Sequence, residues 1–312
     1  MRPRFPTAAS PRRAACVLTT LAIAACGPDS PVAPASTTRP SAPLPSRQAT
    51  TSGRILFLRE TGTTNHLYSM DDDGTNVQWP SASFVGVSSA SWAPDGKRIV
   101  LSAALANQAT GLALFTMNQD GTGITSLTTP PPGCGDQFPA SLGKQIVFIR
   151  ACTAGATLTI MNADGTGLTP LVDGVDVGRI GPSPKGTEVA FAKAEDIWVV
   201  NVATGARTNL TNTPEFFEFD PAFSPSAKRI AFTQGEQGNF RIFTMDPDGT
   251  MLTLVAIGAR AAVWSPDGKR IAFTGQSSDA LEVFVANADG TAVTNLTNTP
   301  PLLEEPVAWA RY

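Results

Sequence analysis

Val263-Trp264-Ser265-Pro266-Asp267-Gly268-Lys269-Arg270-Ile271-Ala272-Phe273 reads as strand, tight turn, strand. Val263 and Trp264 suit a pleated, buried surface, and Ile271 to Phe273 resumes an apolar run. Pro266 presets φ for the turn, Asp267 can bond its own backbone, and Gly268 can take the positive φ that closes it. The pattern returns as Ser91-Trp92-Ala93-Pro94-Asp95-Gly96-Lys97-Arg98-Ile99-Val100. Weaker copies stand at Ala222–Ile230, Gly181–Val189 and Phe138–Ile146. The chain is built from a repeat.

A second signature follows each copy. Leu67-Tyr68-Ser69-Met70-Asp71-Asp72-Asp73-Gly74-Thr75 recurs at 114–122, 158–166, 242–250 and 283–291, with a divergent form at 197–205. Each is an alternating strand that ends in Asp-Gly or Thr-Gly, a hairpin signal, and a short polar strand comes next. The repeated glycines lie about 40 to 47 residues apart, the period of four-stranded propeller blades rather than of helical solenoids. Helical periodicity is essentially absent, so the fold class is all-β. The two ends set the blade count. Arg54-Ile55-Leu56-Phe57-Leu58 matches a second strand with no first strand before it, and Pro306-Val307-Ala308-Trp309-Ala310-Arg311-Tyr312 matches the missing first strand. The C-terminal strand is therefore expected to complete the first blade, closing a six-bladed ring and removing its open edges.

Composition bounds the rest. The 312 residues are 42% hydrophobic and 16% charged, with a net charge of −3. That allows one sizeable folded body and is too little charge for a disordered chain. No basic excess argues for a nucleic-acid partner. Arg2, Arg4, Arg12 and Arg13 form a positive n-region before the short apolar stretch Ala14 to Ala25, so residues 1–25 read as a signal peptide. The apolar stretch is short for a membrane span. Ile23-Ala24-Ala25-Cys26 resembles the lipobox of bacterial lipoproteins, which implies lipidation of Cys26 with fatty acyl chains such as palmitate; an ordinary cleaved signal with an incidental cysteine is the alternative. Gly27 after the cysteine implies, by the same resemblance, sorting to the outer membrane. Residues 26–52 are rich in Pro, Ser, Thr and Ala and read as a semi-extended tether, and the propeller occupies 53–312.

Trp-Ser-Pro-Asp-Gly-Lys-Arg-Ile-Ala-Phe followed by Met-Asn-Ala-Asp-Gly-Thr resembles the TolB-like six-bladed propeller repeat, over nearly all of residues 53–312. The resemblance does not extend to the small α/β domain that precedes the propeller in TolB; the tether stands in its place, and roles tied to that domain are not expected here. Similar repeats accompany hydrolase domains in the prolyl oligopeptidase group, and no such domain follows the repeats.

Residues that could carry chemistry are few. His66 is the only histidine and reads as a loop residue, since a triad or zinc site needs partners for it. No Gly-x-Ser-x-Gly elbow is present, so no enzyme is expected, and no cofactor or metal either. The acidic turns Asp71-Asp72-Asp73-Gly74 and Asp246-Pro247-Asp248-Gly249 read as turn chemistry rather than calcium ligands, because no glutamate stands at the distance an EF-type loop requires. Asn209-Leu210-Thr211 and Asn295-Leu296-Thr297 fit the glycosylation sequon and are read simply as repeat strands. Cys134 and Cys152 fall on loops at the same face of the third blade, which in an exported protein predicts a disulfide; two free thiols are the alternative.

Residues just ahead of each first strand should ring one mouth of the central channel: Asp136, Arg179, Asp220, Arg260, Glu304 and Glu305. Such a mixed-charge ring would receive a peptide end or small ligand, as the resemblance implies, or serve as a solvated rim. Phe216, Phe217 and Phe219 would form an apolar patch for a partner or tuck between blades. The expected protein is a monomeric, lipid-anchored propeller of the cell envelope, facing periplasm or exterior, that binds an envelope protein or peptide or acts as a scaffold. Its membrane contact would be through the lipid alone. A channel-based sensor or an enzyme of the lyase or hydrolase kind is the alternative.

Overall fold

A computed structural model of the chain describes residues 53–105, 111–236, 239–277 and 280–310. The leader 1–25, Cys26 and the whole of the tether lie outside the described residues. Among those residues there is no helix.

Strands β1 (Arg54–Thr61) and β2 (Thr64–Asp71) open blade 1. Blade 2 holds β3 (Phe84–Trp92), β4 (Arg98–Leu105), β5 (Ala113–Asn118) and β6 (Thr125–Ser126). Blade 3 holds β7 (Cys134–Leu142), β8 (Gln145–Cys152), β9 (Gly155–Asn162) and β10 (Thr169–Asp173). Blade 4 holds β11 (Gly181–Pro182), β12 (Glu188–Lys193), β13 (Asp196–Asn201) and β14 (Arg207–Asn209). Blade 5 holds β15 (Phe217–Phe223), β16 (Ile230–Glu236), β17 (Asn239–Met245) and β18 (Thr253–Ile257). Blade 6 holds β19 (Ala259–Trp264), β20 (Arg270–Ser277), β21 (Ala280–Asn287) and β22 (Thr294–Asn295), and β23 (Glu304–Ala310) follows. Each of blades 2 to 6 is a four-stranded antiparallel sheet in chain order. Blade 1 is ordered β2-β1-β23, with Arg54 opposite Ala310 and Arg59 opposite Glu304, so the last strand fills the innermost place beside the first. The fold is a six-bladed β-propeller closed as the sequence predicts. A single bridge from Ser69 to Gln78 stands where a fourth strand of blade 1 would run.

The apolar core is six interfaces between blades rather than one central mass. Ile55, Phe57 and Met70 of blade 1 pack on Ala272, Val283 and Val285 of blade 6. Ile197 and Val199 of blade 4 meet Ile230, Phe232 and Met245 of blade 5 in the same way. The second strands supply these layers: Phe57, Phe148, Phe191, Phe232 and Phe273 occupy one repeat position, and blade 2 has Leu101 there. A ring of this size is filled by whole aromatic side chains.

The Asp-Gly turns do more than reverse the chain. Gly165 and Gly290 sit at φ 88° and 83°, the left-handed region open to glycine. A Cβ at either position would come 2.5 Å from the backbone oxygen of the preceding blade, Leu127 O and Val255 O respectively. The glycine lets one blade rest on the next.

Candidate functional site: the central channel

The innermost strands β3, β7, β11, β15, β19 and β23 surround the axis. In five of the six blades this strand carries a register shift, and in blades 3, 5 and 6 the shift holds Phe138, Asp220 and Ala261 at φ 52°, 53° and 60°. A bulge breaks strict alternation and re-aims the side chains next to it.

Four of the six predicted rim residues come together at one level of the channel. Arg179, just before β11 in blade 4, donates from its guanidinium to Glu305 Oε1 at 2.5 Å. Glu305 belongs to blade 1, which in a six-blade ring stands opposite blade 4, so this ion pair spans the channel. Arg260 of blade 6 approaches the other oxygen, Glu305 Oε2, at 3.6 Å. Asp220 of blade 5 accepts the backbone N–H of Arg179 through Oδ1 at 3.2 Å. Desolvation pushes the Asp220 carboxyl above the ordinary carboxylate range; Arg179 opposes the rise and the Glu305 charge adds to it.

The other two are placed differently. Asp136 is fully buried and takes a two-pronged contact from Arg150, Nε to Oδ1 at 2.7 Å and Nη2 to Oδ2 at 2.8 Å. Glu304 is likewise buried and accepts Arg59 Nε at 2.6 Å. Both face a neighbouring strand within their own blade rather than forming part of a rim. Phe216, Phe217 and Phe219 are each half-buried. Phe217 stacks on Phe219 with centroids 6.0 Å apart, and both present to Phe240 edge-on. A disulfide joins Cys134 to Cys152, which are the end residues of the paired strands β7 and β8 rather than loop residues. His66 lies in β2, with Nε2 3.2 Å from Thr64 Oγ1 and its ring against Trp79, away from the channel lining.

A chamber of about 410 Å³ runs along the axis and takes lining residues from all six blades. One end is set by Arg179 and Asp220. Its walls include Trp92, Phe138, Phe223, Trp264 and Trp309, and its other end by Pro184, Pro225 and Pro266 of the strand-to-strand turns. Trp264 is fixed by its indole N–H, which donates to Ala222 O at 3.0 Å. The arrangement offers an apolar slot with a polar, salt-bridged end, the usual form of a site that takes an apolar group and orients it by a few charges.

Sequence reasoning missed a set of polar clamps between blades. Asp196 of blade 4 accepts Asn209 Nδ2 at 2.8 Å, Thr211 Oγ1 at 3.2 Å and Thr213 N–H at 3.1 Å, and the Thr213 hydroxyl then donates to Glu218 of blade 5. Glu282 of blade 6 accepts Asn295 Nδ2 at 2.5 Å and the Thr299 N–H, and Thr299 Oγ1 donates to Glu304 of blade 1 at 3.0 Å. The signal was the repeated Leu-Thr-Asn-Thr-Pro itself, at 210–214 and 296–300. The acidic turns are also accounted for: Asp73, Asp120, Asp164, Asp248 and Asp289 each accept the N–H and hydroxyl of the threonine two residues on. Those bonds, the hydroxyl first, hold the carboxyls below their ordinary range.

The fold is shared widely. The chain is similar to the crystal structure of TolB from Acinetobacter baumannii, with a TM-score of 0.71 and 19% identity over 84% of this chain and 67% of that one. It is also similar to the hydrazine synthase of Kuenenia stuttgartiensis, with a TM-score of 0.68 and 11% identity over 84% of this chain and 47% of that one. At such identities the likeness is one of fold. No curated protein matches the sequence. The sequence pattern of the TolB beta propeller domain matches residues 137–300, just over half of the chain, and the protein belongs to that family.

Proposed function

We propose that the protein is an exported, lipid-anchored propeller that binds an envelope protein or peptide on its rigid ring, with the axial chamber as the point of engagement. The observation that carries this reading is the chamber: all six blades contribute to it, its walls are apolar, and one end holds the Arg179–Glu305 pair and Asp220. Loops and channel ends on a rigid scaffold are where a propeller can differ from its relatives without disturbing its core. Family membership supports a protein-binding role. Cys26 would carry the acyl chains and residues 27–52 would hold the ring a short way from the membrane.

The test is mild crosslinking in cells followed by purification of the native protein, alongside an Ala140→Trp variant that fills the chamber. Envelope proteins that co-purify with the wild type and are lost from a normally folded variant would support the reading. An unchanged partner set in the variant would overturn it. For the anchor, metabolic labelling with a palmitate analogue should mark the wild type and not Cys26→Ala; an unlabelled wild type would remove the anchor from the proposal.

A further inference from the structure

We infer that the turn-side end of the chamber is a docking site for an acidic peptide segment that carries an apolar side chain. This rests on the reading above and names the chemistry and the face. The turns between first and second strands form an inner ring around that end, and five of the chain's six lysines stand on them: Lys97, Lys144, Lys185, Lys228 and Lys269. All five are exposed, and none forms an ion pair among the described residues. The neighbouring arginines are already engaged, Arg98 with Asp95, Arg229 with Asp246 and Arg270 with Asp72. Lys185 is next to Pro184, and Lys228 and Lys269 follow closely on Pro225 and Pro266, the three prolines that end the chamber.

The turns between third and fourth strands are on the same face but further out, and there the sign reverses. They carry Asp73, Asp120, Asp164, Asp248 and Asp289, with no lysine among them. The inner turns also carry Asp95, paired with Arg98, and Asp267, but their five lysines outnumber these, so the face is concentric, net cationic around the opening and anionic at the edge. The pattern selects by width. A single extended acidic chain passes inside the outer ring and meets the lysines, whereas a broad anionic surface such as a bilayer meets the aspartates first. The Trp- and Phe-lined chamber behind the lysines then receives one apolar side chain, and the Arg179 end limits how far it enters.

The probe is a capped synthetic peptide in which glutamates flank one phenylalanine, titrated into the full chain and read by tryptophan emission, since Trp92, Trp264 and Trp309 line the chamber. Binding that weakens with added salt and falls at least about tenfold in Lys97→Glu/Lys228→Glu/Lys269→Glu, with the melting temperature of the variant near that of the wild type, is the expected result. Equal binding of a lysine-flanked peptide, or unchanged binding in the triple variant, would overturn the inference. So would binding to vesicles of anionic phospholipid with no response to the peptide. If Ala140→Trp still abolishes co-purification of the native partner while the acidic peptide does not bind, the channel reading stands and only this inference fails; loss of neither effect fails both.

Discussion

The junction between blades 4 and 5 and the junction between blades 6 and 1 use the same sequence, Leu-Thr-Asn-Thr-Pro, and the same relay of carboxylate, threonine and carboxylate. They differ in what the second carboxylate meets. Glu218 at the first junction accepts Gln234 Nε2, a neutral donor, at 3.1 Å. Glu304 at the second accepts the Arg59 guanidinium at 2.6 Å, on a side chain that is itself only 15% exposed. The innermost strand of blade 1 also sends Glu305 across the channel to Arg179, while the hydrogen bond that Asp220 of blade 5 accepts comes from a backbone N–H. At the junction of blades 4 and 5 a neutral bond suffices, although Asp136 and Arg150 show that blade 3 holds a charged pair at the same strand position. Where the two ends of the ring must find each other, charge-assisted bonds replace it, and these are the stronger kind.

The largest effect should come from deleting residues 304–312, which leaves blade 1 with two strands and an open edge toward the channel. The expected outcome is loss of cooperative unfolding by circular dichroism and recovery in the insoluble fraction. Next, Glu304→Ala should cost about 3–5 kcal/mol in denaturant unfolding, because it strands a largely buried arginine. Glu218→Ala should cost about 1–3 kcal/mol, since it leaves only neutral donors unpaired. Equal losses would erase the contrast between the junctions.

Asp220→Asn probes the channel side of the comparison. The folded carboxyl is raised above its ordinary value of 3.8, so wild-type stability from this group is present below that value and lost as pH rises through the folded pKa. The variant should melt higher than the wild type at neutral pH, with the gap closing as the pH falls toward 3.8. The smallest effect belongs to the Asp-Gly turns, which seat blade 5 on blade 4 and blade 6 on blade 5 in the same way. Asp248→Ala and Asp289→Ala should each lower the melting temperature slightly, and equally, at neutral pH. Their folded carboxyls are depressed, so the contribution is present above 3.8 and lost as the pH drops through the lowered folded value; the difference from wild type should vanish in strong acid.

The blades and their closure were legible because they rest on local chemistry: proline, aspartate and glycine at turn positions, and apolar runs at strand positions. The disulfide was legible because both cysteines fall at one face of one blade. The channel was legible only in part. Its lining depends on which side of each innermost strand faces the axis, and the bulges at Phe138, Asp220 and Ala261 shift that alternation without a sequence mark. All six rim residues read as ringing the channel mouth; Arg179, Asp220, Arg260 and Glu305 meet there, while Asp136 and Glu304 turn into their own blades. The chamber walls went unseen because Trp92, Trp264 and Trp309 read equally well as core.

The seam in blade 1 also sets an order in time. A chain made from its N-terminus presents β1 and β2 first and β23 after the other strands, so blades 2 to 6 can stack one by one while the strand that pairs with β1 is still unmade. The ring has no means of closing early. Its most distant contacts form last, the step that slows folding in all-β chains. A propeller sealed within a single hairpin would have locked its first blade at once; this one stays open until its last strand is delivered.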